Sequence, residues 1–241
     1  MAGTLSILAG RLLNSDVLQG LLGTPVCLLC GARGGRDGLC TGCRAALPWL
    51  ASTRCPTCAS PMPQALVCGR CLTHPPVVDR VDAALIYGYP VDGLVQTLKY
   101  RHRLAAAHCL GTLLAEAVEH APRPDLVVAV PLGPQRLAER GFNQSLEIAR
   151  AATRALALPL AAEACRRVRD TAPQAGLVFD ERAKNVRRAF VCDLDLTGRH
   201  VALVDDVMTT GASLNECARA LRKRGAAQVA GWIVARTLLD R

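Results

Sequence analysis

Aromatic side chains are the scarcest material in this chain, at 3% of 241 residues, although 51% of its residues are hydrophobic. The apolar content is therefore mostly Ala, Leu and Val, which suits a packed α/β core and argues against disorder. No apolar run reaches the roughly 20 residues that a membrane span needs, so no membrane insertion is expected. Residues 1–22 are rich in leucine but lack the basic start and the Ala-x-Ala exit of a secretory signal. Ile7, Leu8, Leu12, Val17, Leu18, Leu21 and Leu22 fit an amphipathic helix instead. Acidic residues are also short, 20 against 29 Lys and Arg, giving a net charge of +9. That balance points to anionic ligands: phosphates, nucleic acid or an acidic surface.

Cysteine is plentiful where aromatics are not. Eight of the twelve cysteines form four Cys-x-x-Cys pairs within 45 residues: Cys27/Cys30, Cys40/Cys43, Cys55/Cys58 and Cys68/Cys71. Nine residues separate the first pair from the second, and nine separate the third from the fourth. The pattern Cys-x2-Cys-x9-Cys-x2-Cys is thus written twice, as two tetrahedral thiolate sites require. The segment has few large apolar residues, so it needs a metal to fold. Structural zinc contributes on the order of 10 kcal/mol per site. Disulfides do not suit a chain without export signals, and a redox dithiol would not need four copies. About two structural Zn2+ ions per chain are expected. Sequential pairing follows from the repeat; interleaved pairing is the alternative. Cys109, Cys165, Cys192 and Cys217 stand among apolar neighbours and are expected in the core.

Residues 201–214 carry the densest chemistry. An apolar run of four, short and rich in Val and Leu as a strand buried on both faces should be, ends in Asp205 and Asp206. A short loop with Thr209, Thr210, Gly211 and Ser213 then opens a helix, whose buried face is read from Leu214, Cys217, Ala218 and Leu221. Gly211 permits a tight turn and close approach to a ligand. The free N–H groups of such a loop suit a phosphate, and the hydroxyls add donors. The two carboxylates can accept from the vicinal hydroxyls of a sugar, directly or through Mg2+. A phosphate beside a diol describes a ribose 5-phosphate group. The segment holds no Gly-Lys-Ser/Thr, so it is not a Walker loop. The plain alternative is a Rossmann-like strand end whose aspartates only cap the next helix.

Upstream, Thr73, His74, Pro75 and Pro76 mark a composition break. A strand is expected over 81–89, followed by a basic run at 98–103 that holds Lys99, Tyr100 and Arg101. That run reads either as a solvated helix face or as an anion-binding edge, since a cation beside a stacking ring suits nucleotide or single-stranded nucleic acid. A helix over 113–118 stops at Pro122, and a buried strand over 125–130 turns sharply at 131–134. Arg136 and Arg140 follow, and Asn143 is placed to cap a helix running to about residue 156. A strand near 160–168 leads into a polar loop at 169–176 expected to be mobile. A basic helix over 180–188 comes next, for which a charged surface is the plain reading. A strand over 229–235 completes a βαβ unit with the opening element.

Residues 201–213 resemble the phosphoribosyl-pyrophosphate (PRPP) loop of type I phosphoribosyltransferases. Together with the Cys-x-x-Cys pairs and residues 98–103, 130–144 and 169–190, they resemble the ComF family of bacterial competence proteins. The resemblance implies a type I phosphoribosyltransferase-like parallel sheet flanked by helices, with an N-terminal double zinc ribbon. The segments would be an amphipathic helix at 1–24, the ribbons at 25–75 and the transferase-like domain at 76–241. It implies Asp205 and Asp206 on the ribose, and Val207, Met208, Thr209, Thr210, Gly211, Ala212 and Ser213 around its 5-phosphate. Leu132 and Gly133 would hold pyrophosphate by backbone N–H groups. Lys99, Arg101, Arg140, Arg169 and Arg182 would supply charge, with the loop around Arg169, Thr171, Gln174, Arg182 and Asn185 closing over PRPP and Mg2+. Two departures stand out: His102 replaces a frequent Gly, and Gly133 replaces a commonly polar residue. The function implied is cytoplasmic handling of single-stranded DNA during natural transformation, with DNA-uptake machinery as a partner. An active phosphoribosyltransferase of nucleotide metabolism is the alternative. A glutamine amidotransferase is not expected, because no glutaminase domain with its N-terminal nucleophile is read in these residues.

Overall fold

The computed structural model describes residues 26–169 and 188–238. The helix expected at 1–24 lies outside them, as do Arg182 and, apart from Arg169 and Arg188, the loop expected at 169–176 and the basic helix expected at 180–188. The chain divides into two units, one ending at Ala45 and the other starting at Ala46. In the first, Cys27 N donates to Ala32 O at 2.7 Å and Leu28 N to Gly38 O at 2.9 Å, folding the backbone back on itself. The five-residue helix α1 (Thr41–Ala45) follows, and Arg44 pairs with Asp37.

The second unit is built on four strands: β1 (Arg80–Ile86), β2 (Leu126–Ala129), β5 (His200–Met208) and β6 (Gln228–Arg236). They form one parallel sheet in the order β1-β6-β5-β2. Each is nearly continuous in Ala, Val, Leu and Ile because helices cover both faces of a parallel sheet, leaving no alternating wet side. Beside it, β3 (Cys165–Arg167) and β4 (Phe190–Cys192) form an antiparallel pair. The strand expected near 160–168 is reduced to β3 and a single parallel bridge between Leu160 and Val127.

The helices are α2 (Gly69–Thr73), α3 (Val91–Arg101), α4 (Leu104–Val118), α5 (Pro134–Arg140), α6 (Gln144–Leu156) and α7 (Ala212–Lys223). The short α5 was not expected; Pro134 sits in its first turn, where the missing N–H costs nothing. Asn143 caps α6 as expected, its side chain accepting from Ser145 N at 3.1 Å. Close packing of α4 on α6 depends on Gly111. A Cβ there would lie 2.5 Å from Ala151 Cβ and 2.6 Å from Ile148 O. His102 ends α3 at φ +53°, so the left-handed turn exists without glycine. Its ring stands edge-on to Phe142 with centroids 5.7 Å apart.

From β2 the chain leaves outward through α6 toward Leu160; from β5 it leaves the other way through α7 to β6. The crevice between their carboxyl ends is therefore a topological switch point, where open α/β sheets bind ligands. One expectation needs correcting. The acid pair does not end the strand: β5 continues through Asp205 and Asp206 to Met208, with Asp205 opposite Ile233 and Val207 opposite Ala235. The neighbouring strand β6 extends the ladder by two residues beyond the acids and holds them inside the sheet.

Candidate functional site

Each cysteine quartet closes on itself. The Sγ atoms of Cys27, Cys30, Cys40 and Cys43 lie within 4.8 Å of one another, as do those of Cys55, Cys58, Cys68 and Cys71. Cys30 and Cys40 Sγ are 3.7 Å apart, and so are Cys58 and Cys68. Zinc–sulfur bonds of about 2.3 Å give a tetrahedron with edges of about 3.8 Å. The donor sets fit structural zinc. Backbone N–H groups aim at sulfur in both, from Cys43 to Cys40 Sγ and from Cys68 to Cys55 Sγ, each at 3.4 Å. Burial opposes ionisation of Cys55, but N–H donors from Cys68, Cys58 and Thr57 outweigh it and lower its pKa to about 7. Thiolate is thus available to a metal near neutral pH.

A cavity of about 350 Å3 opens at the carboxyl ends of the sheet strands. Its floor is Asp205, Asp206 and Val207 on β5, its rim Thr209 and Ser213 on one side and Val130, Pro131 and Leu132 on the other. Asp205 Oδ1 accepts from Ser145 Oγ at 2.9 Å and from Asp206 N at 3.0 Å. Asp206 Oδ1 accepts from Gln144 Nε2 at 3.2 Å, and its other oxygen pairs with Lys99 Nζ. Burial, then the adjacent Asp206 charge, push the Asp205 carboxyl up to about 7. Burial pushes Asp206 the same way, but Lys99 and Gln144 prevail and hold it below its ordinary value. One acid is therefore firmly ionised and the other poised, as expected for like charges side by side with one cation.

The loop after β5 turns at Gly211, φ +80°, where a Cβ would meet Met208 Cε at 3.0 Å. The amides of Thr209, Thr210 and Gly211 donate to no group among the described residues, and α7 begins with no side-chain cap. Free donors at a helix start beside two carboxylates can hold a phosphate and a diol together.

Comparison with known proteins adds the family. Residues 17–72 match the double zinc ribbon domain, and residues 144–237 match the phosphoribosyl transferase domain. The chain is 39% identical over 211 residues to DNA utilization protein YhgH of Escherichia coli strain K12, covering 85% of this chain and 92% of that protein. It is 34% identical over 211 residues to Competence protein F of Haemophilus influenzae, covering 83% and 91%. The chain belongs to the ComF family. Among solved structures it is similar to a purine phosphoribosyltransferase from Pyrococcus horikoshii, at 18% identity and a TM-score of 0.35, over 54% of this chain and 80% of that one.

In this ComF family member the expected residues divide into two groups. Asp205, Asp206, Val207, Thr209, Ser213, Leu132 and Lys99 line the cavity together. Gly133, Met208, Thr210, Gly211, Ala212, Arg101, Arg140 and Arg169 do not line it. Arg101 is exposed at the end of α3. Arg140 hydrogen-bonds Gln144 Oε1, and its guanidinium lies 5.8 Å from the Tyr100 ring centroid. Lys99 differs from expectation in kind, because its ammonium is already neutralised by Asp206. Tyr87, Gln144, Ser145, Arg167 and Thr237 line the cavity without having been marked as site residues in the sequence. For Gln144 and Ser145 a signal existed: both directly follow the capping Asn143, at the helix start nearest the expected pyrophosphate turn. Among the described residues no helix is long and apolar enough to cross a membrane.

Proposed function

We propose that this ComF family member binds PRPP with Mg2+ at the carboxyl end of β5 and serves DNA uptake by handling single-stranded DNA in the cytoplasm. The observation that carries the ligand reading is one cavity lined by the acid pair, Thr209 and Ser213 of the phosphate loop, and two arginines, Arg136 and Arg167. Asp205 and Asp206 take the ribose hydroxyls, and the amides and hydroxyls of residues 209–213 take the 5-phosphate. Leu132 N, Arg136 and Arg167 face the pyrophosphate, with Arg182 as a closing residue. Hard carboxylate oxygens suit Mg2+. The names of the relatives, a DNA utilization protein and a competence protein, support the DNA role. So does an exposed basic and aromatic edge: Tyr100 is 71% exposed, with Arg101 and Arg103 beside it.

Calorimetry with PRPP and Mg2+ tests the ligand. Asp205→Asn with Asp206→Asn should weaken binding at least tenfold; equal affinity would remove the ribose assignment. Arg101→Glu with Arg103→Glu tests the edge. It should lower single-stranded DNA affinity and flatten its salt dependence, and an unchanged salt slope would move the DNA elsewhere.

A further inference from the structure

The phosphate loop is held from behind. Arg236 Nη1 donates to Met208 O at 3.0 Å and to Thr209 O at 2.6 Å, and Arg70 Nη2 donates to Thr210 O at 3.1 Å. In a trans peptide the C=O and the following N–H point in opposite directions. Fixing these three carbonyls therefore aims the amides of Thr209, Thr210 and Gly211 the other way, and those are the donors left without partners.

Both arginines belong to the second cysteine quartet as much as to the loop. Arg70 lies between Cys68 and Cys71 on α2. Arg236, 1% exposed at the end of β6, donates through Nε to Cys58 O at 3.1 Å and through Nη2 to Ser60 Oγ at 3.5 Å. Just after the quartet, Val77 N donates to Asn215 Oδ1 at 2.7 Å, tying this segment to the first turn of α7. Charge runs the same way. Zn2+ with four thiolates carries two negative charges, and a buried guanidinium is costly unless compensated. Arg236 hydrogen-bonds carbonyl and hydroxyl oxygens, and the negative charges acting on it are the Cys58 and Cys71 sulfurs, so the cysteine cluster supplies its counter-charge.

Resting on the reading of residues 201–214 as a sugar-phosphate loop, we infer that the Cys55/Cys58/Cys68/Cys71 zinc knuckle shapes the phosphate site. It acts through Arg236 and Arg70 as positioning residues, so that phosphate binding and retention of this zinc are coupled. Coupling of two binding equilibria is reciprocal. A phosphate ester that needs the loop in this shape slows loss of this metal, and loss of the metal weakens the phosphate ester.

The test follows zinc release from the full chain to a chromophoric chelator, with and without ribose 5-phosphate, alongside calorimetry of the same ligand. Saturating ribose 5-phosphate should slow one of the two zinc phases fivefold or more. Arg70→Ala should bind the ligand about tenfold more weakly and lose the slowing, and Arg70→Lys, which keeps one donor and the charge, should recover part of both. Binding without any effect on either phase would overturn the coupling while leaving the ligand site standing. If wild type binds no ribose 5-phosphate, the loop reading fails, and the ligand-free arm decides the rest. There Arg70→Ala should lose one zinc faster than wild type, and equal rates would overturn the role given to Arg70.

Discussion

Asp205→Asn should make the ligand-free protein more stable at pH 8 while weakening its PRPP site. In the folded chain the Asp205 carboxyl is raised from 3.8 to about 7, so between those values the folded state holds a proton that the unfolded state has lost. Stability from that proton is complete below about pH 4 and drains away as pH climbs to 7. Asn mimics the protonated form at every pH, and its Oδ1 can still accept from Ser145 Oγ and Asp206 N. At about 1.4 kcal/mol per tenfold change, the full gap is about 4 kcal/mol. Asp205 is half-buried and opens on the cavity, so solvent screening leaves on the order of 2 kcal/mol. For a chain of this length that corresponds to a Tm increase of roughly 4–8 °C. Thermal melts without Mg2+ at pH 8 and pH 5 read it directly, and at pH 5 roughly a third of the gain should remain. Equal Tm values at pH 8, or the same gain at both pH values, would refute the argument, because the effect would then not arise from the ionised acid.

Lys99→Met strands the buried Asp206 charge and should cost about 3–5 kcal/mol; adding Asp206→Asn should return most of it in thermal melts. Elemental analysis of reduced protein should give two zinc ions per chain, and Cys55→Ser should lose one with a lowered Tm. Gly111→Ala gains about 1 kcal/mol of helix propensity yet should destabilise by a net 1–3 kcal/mol, since its Cβ would meet Ala151 and Ile148 at under 3 Å. A stabilised Gly111→Ala variant would mean that α4 and α6 have room to separate.

The parts legible in the sequence are those whose chemistry is contiguous. The two cysteine quartets announce themselves by spacing, and the order acid, hydroxyl, glycine gives the phosphate loop because one short turn supplies all its donors. The helix face through Leu214, Cys217, Ala218 and Leu221 is buried as its period requires. What could not be read depends on residues that meet only through the fold. Lys99 looks like a surface cation in a basic run, and only the packing of α3 brings it to Asp206. Arg167 and Tyr87 reach the cavity from different strand ends. Arg236 follows seven apolar residues, and its role was hidden because its partners are carbonyl oxygens, which leave no mark in a sequence. The length of β5 is hidden for a related reason: two adjacent carboxylates read as the end of an apolar run, but β6 extends the ladder past them.

Because the acids are threaded into an interior strand that β6 keeps zipped for two residues beyond them, they cannot travel to meet a guest. The turn after β5 is pinned as well, by Arg236 and Arg70, so adaptation has to come from the other lip of the crevice, the turn after β2. Chemical discrimination would then split in two, with an unyielding base that measures hydroxyl geometry and one adaptable edge that decides how much anionic tail is admitted.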